Sequence, residues 1–167
     1  MKTKKIITLA ILTALYVALS ALMKIPFIGN ISFDLGYIAF VVALMSFKYA
    51  GIAVGVLGCA LESLLFSAYG FSISWAVGNL IVGLIFALGV NRNNYNMGEY
   101  MLLASIGCLL GIGVVKTGIE CVLYNIPLLV KLPKNLVATA VDTATMCIGI
   151  LIFNEKRLDK LNKVCYN

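Results

Sequence analysis

No histidine occurs anywhere in this 167-residue chain. That absence removes the commonest metal ligand and the base of most hydrolytic triads. Charge is scarce too: Asp, Glu, Lys and Arg together make up 12% of the chain, against about 25% in soluble domains. Trp75 is the single tryptophan, and only three prolines interrupt the sequence. Cysteine is present but unorganised. Cys59, Cys108, Cys121, Cys147 and Cys165 are odd in number, and no pair has C-x-x-C spacing. Four of them sit in apolar runs and read as small core- or lipid-facing residues. No metal or cofactor is expected. There is no G-x-x-x-x-G-K-[ST] pattern, and the loops are too short for a nucleotide-binding domain, so any use of ATP must come from a partner. Long Gly/Ser linkers, low-complexity tracts and repeats are missing, which predicts one domain over residues 1–167.

What fills the chain instead is apolar. Hydrophobic residues account for 62%, and the mean hydropathy is +1.02. A water-soluble fold has nowhere to put so much apolar surface, so lipid must be the solvent for most of it. A spanning helix needs about 20 mostly apolar residues. The pattern predicts an all-α membrane protein of six transmembrane helices, at about residues 6–23, 35–47, 51–66, 73–90, 99–124 and 135–153. Ile31 to Gly36 reads as an extended loop, and a loop carrying Pro127, Pro133 and Lys134 leads to the last helix. Ala18-Leu19-Ser20-Ala21 resembles a weak signal-cleavage site. The first apolar run is long for a signal peptide, however, and is kept as a span.

Orientation follows from counting Lys and Arg. With the amino terminus inside, nine lie on the inner side: Lys2, Lys4, Lys5, Lys48, Arg92, Lys156, Arg157, Lys160 and Lys163. Three lie outside: Lys24, Lys131 and Lys134. Both termini are therefore expected in the cytoplasm. The same bias explains the net charge of +6 without nucleic acid.

Polar residues within the spans fall at one expected depth, the outer half. Glu62 lies near the end of an outward-running helix. Trp75 and Asn79 open an inward-running one. Lys116 and Glu120 come late in the fifth, and Asn135, Thr139 and Asp142 early in the sixth. Spacings of i, i+4 and i, i+4, i+7 put each set on one face. Each charge in hydrocarbon costs roughly 2.5–3.5 kcal/mol on insertion scales. A shared interior site makes that cost intelligible, and these eight residues are the expected substrate-binding set. Trp75, with Tyr69, Phe71 and Tyr124 nearby, offers stacking for a flat ring. The bland readings are local: a Lys116–Glu120 pair, a snorkelling Glu62, interfacial aromatics, and an Asn79 bonded to a neighbouring helix.

Small residues form a second pattern. Ala10, Ala14 and Ala18 recur every four residues on the first helix, a spacing that lets helix backbones approach closely. Gly51/Gly55 and Gly107/Gly111 share that spacing and read as internal packing. Six spans in this length, the alanine stripe, the long first loop, and the stretches Ile31-Ser32-Phe33-Asp34-Leu35-Gly36 and Gly51-Ile52-Ala53-Val54-Gly55-Val56-Leu57-Gly58 are together similar to the S components of energy-coupling factor (ECF) transporters, which import vitamins.

The resemblance implies tight capture of one small molecule in an outward-facing pocket built from the first loop and the outer parts of later helices. It implies partners: a transmembrane coupling (T) subunit and two cytoplasmic ATPase subunits in a prokaryotic plasma membrane. It assigns Ala10, Ala14 and Ala18 to contact with the coupling subunit, and implies that the chain tilts to deliver its ligand. The chain itself is then no enzyme. No substrate-specific motif of the family is matched. Glu62, Glu120 and Asp142 against Lys116 leave two excess negative charges in the expected site. That favours a cationic or donor-rich heterocycle: a thiamine precursor, a pyridoxine-type vitamer or a queuosine precursor, with riboflavin also admissible. The competing classes are an independent proton-coupled secondary transporter, which would need repeats or broken helices, and a membrane-embedded enzyme, which lacks an evident nucleophile–base pair.

Overall fold

A computed structural model describes residues 2–22, 26–28, 31–32, 34–66, 72–90 and 96–153. Tyr69, Phe71, Lys24, most of the 91–96 loop and the charged tail from residue 154 lie outside the described residues. The fold is helical apart from one small hairpin. Helix α1 runs Lys2–Leu22, followed by strands β1 (Pro26–Ile28) and β2 (Ile31–Ser32), which pair antiparallel. The expected extended loop is thus this hairpin in part. Helices α2 (Gly36–Phe47) and α3 (Ile52–Phe66) are joined by a 3-10 turn, Lys48–Gly51. Then come α4 (Ile73–Gly89), α5 (Met97–Cys108), a π-helical segment (Leu109–Lys116), α6 (Thr117–Tyr124) and α7 (Leu128–Ile152).

Helix α2 is the hub. Every residue of it except Ile38 is buried, and it packs against α1, α3, α4 and α7. Its sequence explains this: a helix apolar on all sides has no face for water and belongs in a core. At Lys48 the backbone turns with a φ of +50° and the chain reverses. Gly51 then lies on the backbone of Ala43, and Gly55 on the ring of Phe40. A side chain at either position would have no room, so this glycine pair holds the α2–α3 hairpin closed. Gly107 and Gly111 do the same for α5 and its continuation against α4. A Cβ at Gly111 would stand 2.5 Å from the Gly78 carbonyl oxygen, and one at Gly107 3.2 Å from that of Val82.

Three expectations are corrected. The expected count of six transmembrane helices is not reached: among the described residues, four stretches are long and apolar enough to cross a membrane, Thr3–Leu22, Gly36–Phe66, Met97–Tyr124 and Leu128–Ile152. Ile73–Gly89 is apolar but shorter. The reversal at Lys48 divides Gly36–Phe66 into helices of 12 and 15 residues, about 18 and 22 Å long, short of a 30 Å hydrocarbon core. Second, α7 begins at Leu128 rather than near 135, with Pro133 inside it. In the second turn a proline forfeits one backbone bond, a loss the apolar run Leu128–Leu132 tolerates. Third, the fifth helix is not uniformly α. Its π segment carries Gly111 and Gly113 against α4 and α7, and ends on Lys116.

Candidate functional site

The tier of the polar interior nearer the amino-terminal ends of α4 and α7, termed outer for its place on the expected topology, is assembled by α4, the π segment with α6, and α7. Lys116 closes the π segment, and its ammonium lies over the Trp75 ring, 3.7 Å from the centroid. The same Nζ donates to Asn135 Oδ1 at 3.1 Å and sits 3.6 Å from Glu120 Oε1. Asn135 Nδ2 donates to Thr117 Oγ1 (2.9 Å) and Glu120 Oε2 (3.1 Å). Ser74 Oγ reaches Glu120 Oε1 at 3.4 Å, and Lys131 Nζ lies 3.2 Å from Glu120 Oε2. Thr139 turns its hydroxyl back to the Asn135 carbonyl and borders Gly113. Lys116, Glu120, Asn135 and Thr139 are all buried. A cation held over a tryptophan face while bonded to an amide and a carboxylate is stabilised by all three, and each partner depends on the others.

The inner tier lies about 6 Å further along α4 and 10 Å along α7, at their rise of 1.5 Å per residue. Asn79 Oδ1 accepts from the Tyr37 hydroxyl at 2.7 Å. Tyr37 also packs against the rings of Tyr16 (6.2 Å) and Phe40 (6.1 Å). Asp142 is buried on α7 with its Oδ2 unpartnered, and the Asn79 amide nitrogen likewise finds no acceptor. The expected single depth is therefore two tiers, because Asp142 stands two turns below Asn135 on the same helix face.

Asp34 was not among the expected site residues. Its carboxylate accepts from Ser20 Oγ, from the Tyr16 hydroxyl at 3.1 Å and from the Gly36 amide at 2.9 Å. It thereby fastens the chain leading into α2 to the inner face of α1. Burial pushes its carboxyl up to about 6, against the lowering effect of the Ser20 bond; the nearby charge of Glu62 adds to the rise. Glu62 is half-buried and has Asp34, Tyr16 and Cys59 as electrostatic neighbours, so it stands apart from the lysine cluster. Tyr124 is exposed. Of the eight expected residues, five (Trp75, Lys116, Glu120, Asn135 and Thr139) meet in the outer tier. Asn79 and Asp142 fall in the inner tier, and Glu62 lies beside Asp34. Reasoning from sequence missed Tyr16, Tyr37, Ser20, Asp34, Ser74, Thr117 and Lys131. Asp34 carried a signal, standing two residues before a glycine that opens an apolar helix, where a carboxylate can accept from that glycine's backbone N–H.

On α1 the residues Leu12, Tyr16 and Ser20 are buried, while Ala10, Ala14 and Ala18 are exposed beside Ile7, Ile11 and Leu15. An offset of two residues is about 200° of helix, so the stripe faces away from the site.

The family model of the ECF-type riboflavin transporter S component matches residues 1–155. The chain belongs to that family. Its members are membrane-embedded substrate-binding subunits of transporters and not themselves enzymes. Among solved structures it is similar to an S component for biotin from an ECF-type ABC transporter. The TM-score is 0.67 at 18% identity, over 97% of this chain and 92% of that one. That likeness shows the shared fold. The S component of a bacterial ECF transporter aligns over 99% of this chain and 95% of that one, with a TM-score of 0.47 and 19% identity. No curated protein matches.

Proposed function

We propose that this S component captures a flat heterocyclic vitamin of the riboflavin class between the tiers of its polar interior. The family description names riboflavin, which moves that ligand ahead of a thiamine precursor, a pyridoxine-type vitamer or a queuosine precursor. The observation that carries the reading is the buried cluster of Trp75, Lys116, Glu120 and Asn135. It combines a ring face with charged and amide groups, the composition of a site that orients a polar ring. The charge argument for a cationic ligand weakens in this geometry. Lys131 joins Lys116 around the one carboxylate of Glu120, so the outer tier carries no negative excess. A neutral ring with donor and acceptor edges suits it better.

The rest of the proposal follows from family membership and charge. Residues 1–167 act as one membrane domain whose helices lie within the bilayer. Both termini face the cytoplasm of a prokaryotic cell. Ala10, Ala14 and Ala18 dock on a transmembrane coupling subunit, and two ATPase subunits drive release.

Trp75 being the only tryptophan, its emission reports the site directly. Purified chain in nanodiscs, titrated with riboflavin, should show saturable quenching with a Kd below about 1 μM. Thiamine and pyridoxine should compete weakly. Tight binding of thiamine or pyridoxine with none of riboflavin would overturn the ligand assignment. Uptake by the chain alone, without ATPase partners, would restore an independent carrier.

A further inference from the structure

Two buried polar atoms in the inner tier have no hydrogen-bond partner, and they are of opposite kind. Asp142 Oδ2 is an acceptor and Asn79 Nδ2 a donor. The Cys59 thiol neighbours Asn79 but is a poor acceptor. Orphaned groups of this sort are costly to bury and call for a partner.

Both converge on Tyr37. Asn79 reaches it from α4 through the 2.7 Å bond to its hydroxyl. Asp142 reaches it from α7. Gly149 on α7 rests against Ile38 and Val41 of α2, and Asp142, Thr145 and Gly149 share one helix face at i, i+3, i+7. Asp142 thus lies on the face of α7 that packs on α2, two turns before the Gly149 contact. Among the charged groups acting on Tyr37, Asp142 is the strongest. The Asn79 oxygen is already committed to Tyr37, which leaves its NH₂ group free to donate.

From this geometry we infer that Asn79 and Asp142 are the specificity-determining pair of the site, reading a lactam or imide edge on the ligand ring. Asp142 Oδ2 accepts from the ring N–H, and Asn79 Nδ2 donates to the adjacent ring carbonyl. Tyr37 holds the amide in the orientation that makes it a donor. The inference rests on the ligand reading above and adds which edge of the ring enters first: the hydrogen-bonding edge points inward to Tyr37, leaving the rest of the ring beside Trp75. It also explains a buried acid two turns deep in α7 that feels the Lys116 charge, yet whose Oδ2 no described lysine or arginine bonds.

The test compares riboflavin with N3-methylriboflavin, whose methyl removes the one imide donor and keeps both carbonyls. The wild-type chain should bind the methylated compound about 10- to 100-fold more weakly, because the Asp142 oxygen stays unpaired and the methyl intrudes on it. Asp142→Asn should weaken riboflavin binding by a similar factor and shrink the discrimination between the two flavins to under about threefold. Asn79→Asp should weaken both flavins together, since it removes the donor to the carbonyl. Monodisperse elution of each variant establishes folding. If Asp142→Asn does not fold, the wild-type comparison alone decides. Equal wild-type affinity for the two flavins, or undiminished discrimination in Asp142→Asn, overturns the pair while leaving the riboflavin reading intact. Failure of both flavins to bind overturns that reading and this assignment with it.

Discussion

Glu120 is the residue on which the outer tier turns. It receives Lys116, Lys131, Asn135 and Ser74, and only Lys131 of these reaches solvent appreciably. Glu120→Gln keeps the shape but takes the nearest anion from the buried Lys116. Removing one member of a buried pair costs about 3–5 kcal/mol, and the low end applies here because Lys131 opens the pair to water. Lys131→Ala should cost under about 1 kcal/mol, as partly exposed pairs do. Thermal unfolding in detergent, followed by Trp75 emission, should show at least a threefold larger loss for Glu120→Gln. Comparable losses would mean that Glu120 is satisfied by Asn135 and Ser74 alone. This residue-level picture was partly legible in the sequence. Charges within apolar runs stand out, so Lys116, Glu120 and Asp142 were found by rarity. Tyr16, Tyr37 and Ser20 were not, because tyrosine and serine are unremarkable in membrane helices and only tertiary contact shows what their hydroxyls touch. Lys131 was assigned to a loop because Pro133 follows it.

At the scale of elements, hydropathy located the helices but not their internal form. A π segment leaves no mark on hydropathy, so Leu109–Lys116 looked like any α-helical stretch. Only its Gly107/Gly111 spacing hinted at close packing. That packing gives a paired test. Gly111→Ala places a methyl 2.5 Å from the Gly78 oxygen and 2.7 Å from Val82 Cγ2, atoms of a backbone and an adjoining side chain that have little room to yield. It should destabilise by about 1–3 kcal/mol, as overpacking does. Gly118→Ala, two residues past the π segment and facing open space, should be neutral or stabilise by up to about 1 kcal/mol through helix propensity. Thermal unfolding of the two variants side by side checks this. Equal effects would mean that α4 and the π segment are not pressed together at Gly78. The same comparison in saturating ligand would show whether that contact is retained on binding, since Lys116 ends the segment and borders Gly78.

For the whole molecule, the decisive feature is that α1 has two employments on opposite faces. Inward, Tyr16 and Ser20 bond Asp34 and so tie α1 to the base of the first loop and the start of α2. Outward, Ala10, Ala14 and Ala18 form an exposed small-residue stripe flanked by Ile7, Ile11 and Leu15. Under the proposed docking, this arrangement keeps capture and docking physically separate on one rod. Ala14→Trp adds bulk only to the outer face, so riboflavin affinity of the isolated chain should stay within about threefold of wild type, while close helix approach by a coupling subunit is blocked. Co-purification with coupling and ATPase subunits should fall by at least about tenfold, and uptake in cells should fall with it. A mild version, Ala14→Gly, should preserve both, because it leaves the backbone approach open. Were Ala14→Trp to assemble and transport normally, the docking face would have to be sought on another helix. Were it instead to lose ligand binding with assembly intact, α1 would be reporting bulk inward through Tyr16 and Asp34, and the two faces would be mechanically one.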